Sequence, residues 1–166
     1  MIEVRWHARA GQGAKTAAQL LAEALLASGS SVQAFPEYGP ERRGAPVRAY
    51  TRVSERPIRR HDTVTTPDVV AVLDPDLVRE VDVTEGMAAD GVVLVAAKHP
   101  PVELARGRTI CLAVKENANV AVAAAAGALL GAREEDVVDA AVRLLGRKVS
   151  SDALRSAVEE GYACLS

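Results

Sequence analysis

The sequence is poor in cysteine, histidine and aromatic residues, and each shortage excludes a class of function. The two cysteines, Cys111 and Cys164, form no Cys-x-x-Cys pair, so this chain alone cannot bind an iron–sulfur cluster or a cysteine-rich zinc site. The three histidines, His7, His61 and His99, show no metal-binding spacing, and we expect them to be structural or solvent-facing. Aromatic residues make up only 3%, which leaves few side chains to stack on bases, so no nucleic-acid partner is expected.

Long apolar runs are missing as well. The longest run, around residues 120–126, is too short and too rich in alanine to cross a membrane. Glu3 and Arg5 interrupt the apolar segment that a secretory signal would need. We therefore expect a cytoplasmic protein with no membrane partner. At 166 residues, with 49% apolar and 25% charged residues, the sequence predicts one domain spanning 1–166 that buries its own core.

Strand and helix patterns alternate along the chain. "IEVRWH" is typical of a first strand, a glycine turn follows, and "AAQLLAEALLAS" has helical apolar spacing. Continuous apolar runs typical of parallel strands buried on both faces are "DVVAVLD", "GVVLVAA" and "TICLAV". Asn117 or Asn119 is a candidate cap for the alanine-rich helix that follows. The pattern predicts an α/β fold: a three-layer Rossmann-like sheet, mostly parallel, with helices on both faces.

The glycine turn "ARAGQGAKT" matches neither of two known phosphate-binding loops. A Walker A loop needs lysine directly after its last glycine, but Ala14 separates Gly13 from Lys15. A dinucleotide fingerprint needs a third glycine where this chain has Thr16. What remains is a helix N-terminus that a ligand or another chain can approach closely. The predicted ligand-binding or active-site-facing residues are Arg9, Gly11, Gln12, Gly13, Lys15 and Thr16. The alternative is a tight strand-to-helix turn with a solvated Lys15.

A proline-stiffened segment carries most of the positive charge. The net charge is −2, but residues 1–60 contain ten Lys or Arg and five Asp or Glu. Between Arg42 and Arg60 there are seven arginines and one carboxylate, Glu55. The strand "VRAYTRVS" alternates, so that one face can be buried while the other carries arginines. We expect this face to attract phosphate or carboxylate, the alternative being a solvated basic edge.

Together these segments resemble a known family. The matching stretches are "RWHARAGQGAKTAAQLLAEA", "QAFPEYGPERRGAPVRAYTRVSERPI", "DVVAVLDPDL" and "VDVTEGMAADGVVLV". They are similar to the gamma subunit of the 2-oxoacid:ferredoxin oxidoreductases, of the pyruvate or branched-chain 2-oxoacid type. Relatives commonly have glycine where this chain has Ala8 and Ala10, so the turn carries two extra Cβ atoms.

The resemblance implies a supporting role in a multisubunit enzyme. The whole complex would decarboxylate a 2-oxoacid oxidatively to an acyl-coenzyme A and pass the electrons to ferredoxin. Thiamine diphosphate, iron–sulfur clusters and coenzyme A are expected in that complex, with none of them bound by this chain alone. The implied partners are alpha, beta and delta-type subunits. This chain would hold no catalytic residue and would not be competent alone.

The proline-containing loop is the part that best matches the family. Its predicted contacts with coenzyme A or with a neighbouring subunit come from Glu37, Tyr38, Gly39, Pro40, Arg42, Arg43 and Gly44. The rival hypothesis is a stand-alone module that binds a nucleotide or another phosphorylated ligand at the glycine turn, with no redox role. A degenerate, purely structural relative of the gamma subunit is a third possibility.

Overall fold

The computed structural model describes residues 1–37, 42–104 and 108–165, in which four α-helices accompany a six-stranded sheet. In chain order the elements are β1 (Ile2–Arg9), α1 (Ala14–Ala27), β2 (Ser31–Pro36), β3 (Pro46–Ser54), β4 (Val69–Val72), β5 (Val92–Val95), β6 (Arg108–Cys111), α2 (Ala118–Leu129), α3 (Glu134–Leu145) and α4 (Ser151–Ala163). Two 3₁₀ helices, Pro75–Arg79 and Val102–Leu104, follow β4 and β5. All the strands expected from the sequence are present.

The strand order is β2-β3-β1-β4-β5-β6, and β1 is the junction between two kinds of pairing. On one side β1, β4, β5 and β6 run parallel. On the other side β3 is antiparallel to both β1 and β2. The chain therefore places a hairpin beside a parallel sheet, and the predicted α/β class with a mostly parallel sheet is confirmed.

The α-helices form the cover of one face of the sheet. Trp6 and Ala8 of β1, Ala71 of β4 and Leu94 of β5 belong to one apolar core with residues of all four helices. The α2 segment from Val120 to Gly127 is buried on all sides, which its small side chains permit because neighbours can pack around it closely. No helix within the described ranges is long and apolar enough to cross a membrane.

The opposite face has a thinner and partly polar cover. Over β4 and β5, Val78 and Leu104 from the two 3₁₀ helices pack on valines that point away from the α-helices. The sheet therefore has helices on both faces, with α-helices on one and 3₁₀ helices on the other. Over β1 and β3 the same face carries charged and polar residues that are nevertheless buried, namely Glu3, Arg5, His7, Tyr50 and Arg52.

Arg52 corrects the expectation of a continuous basic face. Its side chain is fully buried, with Nε 2.7 Å from Glu3 Oε1 and Nη2 donating to the Asp62 carbonyl oxygen at 2.7 Å. The guanidinium also lies 5.4 Å from the centre of the Phe35 ring. The alternation in β3 did place this arginine on the polar face, but residues 60–62 cover that face. Arg52 thus supports the fold and cannot attract an external anion.

His7 lies in the same buried layer, as expected for a structural histidine, while His61 and His99 are exposed. Burial lowers the pKa of His7 to about 3, and the positive charges of Arg5 and Arg48 add to this effect. Asp82 acts in the opposite direction more weakly. The imidazole is therefore neutral near neutral pH, and its Nε2 accepts a hydrogen bond from Arg5 Nε at 3.1 Å.

The low pKa of His7 predicts that the folded protein loses stability as the pH falls. An unfolded His7 takes up a proton near pH 6.5, whereas the folded protein resists protonation down to about pH 3. The contribution of His7 is therefore fully present above pH 6.5 and declines as the pH falls towards 3, by about 1.4 kcal/mol per pH unit. Urea unfolding across this window should show a shallower loss of stability for His7→Gln than for the wild type. His99→Gln is the exposed control, and parallel curves for His7→Gln and wild type would contradict the prediction.

Candidate functional site

The glycine turn lies at the carboxyl end of β1, where the sheet changes from antiparallel to parallel pairing. Such a switch point opens a crevice beyond the strand ends, which is a common ligand position in α/β proteins. Gly11 and Gly13 have φ angles of 96° and 87°, in the left-handed region that favours glycine. Between them the Gln12 amide donates to the Arg9 carbonyl oxygen at 3.0 Å. The two glycines thus let the chain reverse within a few residues and start α1.

Arg9 fixes the turn to the neighbouring strand end. Its Nε lies 3.0 Å from Asp74 Oδ2 and its Nη2 lies 2.5 Å from Glu80 Oε1, while Nη1 donates to the Gly44 carbonyl oxygen at 3.2 Å. The hydrogen bonding that Arg9 donates to the Glu80 carboxylate contributes most to raising the pKa of the guanidinium. Gln12 joins the network, because its Nε2 donates to Asp74 Oδ2 at 3.0 Å. Arg9 and Gln12 therefore hold the turn in place, with the charge of Arg9 already balanced.

A cavity of about 300 Å³ lies against this turn. Its wall is formed by Arg9, Ala10, Gly11, Gly13, Ala14 and Lys15 of the turn and by Pro36, Glu37, Val47 and Arg48 of the β2–β3 hairpin. The structure thus brings together two segments that the sequence presented as separate candidates. Gln12 and Thr16 are not part of this wall.

The cavity offers positive charge at the start of α1. Gly13 occupies the N-cap position of this helix, and no side chain among the described residues makes a cap hydrogen bond to it. The first N–H groups of a helix have no partner within the helix and carry partial positive charge. Lys15 is exposed and has no hydrogen bond or ion pair with any residue that the structure describes. Backbone donors together with a free ammonium group suit an anionic ligand group.

Few of the described residues of the proline-containing loop line the cavity. Glu37 lines the cavity, where Arg48 Nε lies 3.6 Å from its Oε2. Arg42 and Arg43 are exposed beyond the cavity wall, at the start of a turn closed by the Ala45 amide and the Arg42 carbonyl oxygen at 2.9 Å. Gly44 completes this turn with a φ angle of 79°. The predicted site residues Tyr38, Gly39 and Pro40 lie outside the described residues.

Ala8 and Ala10, where the family resemblance implies glycine, have different surroundings. Ala8 is fully buried in the core beneath the α-helices, at the β1 position opposite Val47 of β3. Ala10 lines the cavity, and its amide donates to the Ala45 carbonyl oxygen at 2.9 Å. Only the Ala10 methyl group therefore narrows the space next to the turn.

Sequence reasoning missed three side chains that shape this site. Asp74 and Glu80 hold Arg9 from positions more than sixty residues away in the chain. Asn119, at the start of α2, packs against the turn, since a Cβ atom on Gly13 would lie 2.7 Å from its Nδ2. The preceding Asn117 takes the N-cap position with a φ of 53° but makes no side-chain cap hydrogen bond. The Asn-x-Asn pattern thus indicated the helix start but not the contact with the turn.

Comparisons with known proteins agree on one family. The model of the pyruvate ferredoxin/flavodoxin oxidoreductase family matches residues 3–164. The common gamma subunit of the pyruvate/ketoisovalerate oxidoreductases of Pyrococcus abyssi is 59% identical over 95 residues, which cover 57% of this chain and 51% of that protein. Pyruvate synthase subunit PorC of Methanothermobacter marburgensis is 57% identical over 95 residues, covering 57% and 54%. The chain spans about half the length of these curated relatives.

A solved structure extends the likeness to nearly the full chain. The crystal structure of the pyruvate oxidoreductase subunit PORC of Thermotoga maritima superimposes with a TM-score of 0.79 and is 34% identical. The superposition covers 98% of this chain and 95% of that one. The resemblance inferred from the sequence motifs is thereby confirmed.

The contact between Gly13 and Asn119 can be tested with paired glycine variants. Gly13→Ala and Gly11→Ala each place a side chain at positive φ, which costs about 1–2 kcal/mol. Only the Gly13 variant also meets Asn119, because no atom lies within 4 Å of a Cβ on Gly11. We expect urea unfolding to show that Gly13→Ala is less stable than Gly11→Ala by about 1 kcal/mol or more.

The double variant Gly13→Ala/Asn119→Ala tests the cause of that difference. It should recover most of the extra loss, giving a coupling of about 0.5–3 kcal/mol between the two positions. Equal stabilities for the two single glycine variants, or strictly additive effects in the double variant, would show that Asn119 does not constrain the turn.

Proposed function

The chain belongs to the pyruvate ferredoxin/flavodoxin oxidoreductase family, and we propose that it acts as the gamma-type subunit of a multisubunit 2-oxoacid:ferredoxin oxidoreductase. The observation that carries the proposal is the family match over residues 3–164, because that range includes every residue lining the cavity at the glycine turn. The enzyme would convert a 2-oxoacid, pyruvate or a branched-chain one, to an acyl-coenzyme A. Its cytoplasmic location stays a prediction.

The redox groups are proposed to reside on the other subunits. Cys111 and Cys164 are both half-buried thiols, and burial raises the pKa of each. Cluster ligation needs deprotonated thiolates, usually four for each cluster. Among the described residues there is also no group of three or more side chains suited to a metal ion. These residues do not fit an iron–sulfur cluster, so alpha, beta and delta-type subunits would supply the clusters and thiamine diphosphate and would pass electrons to ferredoxin.

We propose coenzyme A as the ligand of the glycine-turn cavity. Its phosphates are anionic, and the uncapped start of α1 together with Lys15 offers backbone donors and a free positive charge. A cavity of about 300 Å³ lies at the lower end of the range for small-ligand sites. We infer that this chain holds one phosphate-bearing end of coenzyme A, while a partner subunit holds the rest. When bound, coenzyme A supplies the thiol that accepts the acyl group.

In this proposal the chain binds and orients without carrying out a chemical step. The network of Arg9, Asp74 and Glu80 keeps the turn fixed, so the donors of α1 are in position before the ligand arrives. The same cavity would serve a stand-alone phosphate-binding module. The two proposals differ in what purifies with the chain: partner chains carrying thiamine diphosphate and clusters in one case, a free monomer with bound nucleotide in the other.

Lys15→Gln tests the coenzyme A contact in the reconstituted complex. A charge-assisted hydrogen bond is worth about 1.5–3 kcal/mol, so the KM for coenzyme A should rise at least about tenfold with assembly unchanged. Lys148→Gln, an exposed lysine after α3, is the matched control. A KM equal to that of the control would remove Lys15 from the coenzyme A site.

The exposed pair Arg42 and Arg43 is tested separately, because these side chains lie outside the cavity wall. We expect Arg42→Ala and Arg43→Ala, and more strongly the double variant, to weaken subunit association, since truncating a charge buried at an interface costs about 2–5 kcal/mol. Association is measured by analytical ultracentrifugation, with the exposed Arg147→Ala as control. A higher KM for coenzyme A with normal assembly would instead assign the pair to the ligand. If neither quantity changes, the pair is a solvated edge.

A further inference from the structure

A second cavity, of about 290 Å³, lies on the polar face of the sheet. It shares Glu37 and Arg48 with the cavity at the glycine turn, and its other polar wall residues are Arg5, Tyr50, Thr63, Thr65 and Glu85. Apart from Glu37, no residue in the wall of this cavity was among the site residues predicted from the sequence.

Arg5 is a buried cation in the wall of this cavity. Only 3% of the residue is exposed. Its Nη2 donates to the carbonyl oxygens of Val83 and Glu85, at 3.0 and 2.6 Å, and its Nε donates to the neutral His7 ring. All three acceptors are uncharged, and Arg5 forms no ion pair with any carboxylate in the described part of the chain. A buried charge without a counter-ion is costly, so this arrangement is unusual.

The contrast with Arg52 shows what Arg5 lacks. Arg52, on the neighbouring strand, is equally buried but pairs with the carboxylate of Glu3 at 2.7 Å. Burial lowers the pKa of Arg5, and the nearby positive charge of Arg48 adds to that effect. Tyr50, Glu85 and Asp82 act in the opposite direction without reversing it. The protein therefore balances one buried arginine internally and leaves the other facing a cavity.

Two carboxylates line the cavity, Glu37 and the exposed Glu85, and neither forms an ion pair with Arg5 in the described part of the chain. Glu37 accepts a hydrogen bond from the Tyr50 hydroxyl group and lies 3.6 Å from Arg48 Nε. On the free side of Arg5, Nη1 has no hydrogen bond among the described residues. Since no fully buried side-chain nitrogen in the described structure lacks a partner, this nitrogen keeps some exposed surface, and Arg5 is part of the cavity wall. Arg5 Nη1 is thus a charged donor available to a ligand.

We propose that this cavity binds a carboxylate group, with Arg5 as its counter-ion. A buried guanidinium without an ion pair suits a singly charged anion, and its fork of donors fits a carboxylate well. Arg48 provides a second cation, and the exposed Thr63 and Thr65 provide hydroxyl donors at the rim. The carboxylate comes either from a free small molecule or from an acidic side chain of a partner chain. This inference does not depend on the proposed function.

The test uses sodium formate as the probe with the full-length chain, titrated by calorimetry at constant ionic strength with chloride as the balancing anion. We expect saturable binding at one site, weakened at least tenfold in Arg5→Gln and several-fold in Arg48→Gln. Arg147→Gln, an exposed arginine remote in sequence, should bind as the wild type does. No saturable binding to the folded wild-type chain would overturn the proposal.

Two further measurements keep the result unambiguous. Arg5→Gln can fail to fold, so the guanidinium nitrogen resonances of Arg5 are also followed by NMR in the wild-type chain, where formate should shift them. If Lys15→Gln abolishes formate binding while the Arg5 resonances stay unchanged, formate occupies the glycine-turn cavity and the proposal is wrong.

The assembled complex distinguishes the two sources of the carboxylate. If a partner's acidic side chain fills the cavity, formate binds the isolated chain but no longer binds the complex. If the natural occupant is a free small carboxylate, formate binds both. Each of these results supports a carboxylate site at Arg5, and binding that Arg5→Gln leaves unchanged in both states contradicts it.

Discussion

The ion pairs of Arg9 with Asp74 and Glu80 are the contacts on which the rest of the site depends. They join the end of β1 to the segment after β4, at the place where the sheet changes its pairing direction. With that end fixed, the two glycines can reverse the chain, and α1 starts with its N–H groups facing the hairpin β2–β3. The third contact of the guanidinium, to the Gly44 carbonyl oxygen, ties the hairpin loop to the same point. One side chain thus holds three segments around the cavity.

The arginines of the N-terminal half differ in how their positive charge is balanced. Arg9 and Arg52 are satisfied by carboxylates of this chain and therefore stabilise the fold. Arg42 and Arg43 are exposed and accessible to other molecules. Arg5 is buried like Arg52 but donates only to neutral acceptors, which is why the adjoining cavity is the place to look for its counter-ion.

Much of the fold could be predicted from the sequence, because buried parallel strands are continuous apolar runs and the helices have clear apolar spacing. The antiparallel position of β3 could not, since nothing local sets the direction of a strand that follows a long loop. The burial of Arg52 was missed because alternation assigns a side chain to a face but does not say what covers that face. The role of Asp74 and Glu80 was missed because these residues act on Arg9 across the sheet. Of the six turn residues predicted to face a ligand, Arg9, Gly11, Gly13 and Lys15 line the cavity, and their ligand stays a proposal.

We propose that this chain meets its ligand and its partners at the glycine turn, on the hairpin side of α1. Hydrogen exchange measured on the isolated chain and on the assembled complex with coenzyme A tests it most directly. In the complex we expect slower exchange for two sets of amides. The first is Ala14, Lys15 and Thr16, whose amides have no helical partner, and the second is residues 42–45. The exposed surface of α3 should exchange at the same rate in both states. Unchanged exchange at the turn, together with protection confined to α3 and α4, would contradict the proposed location of the ligand and partner contacts.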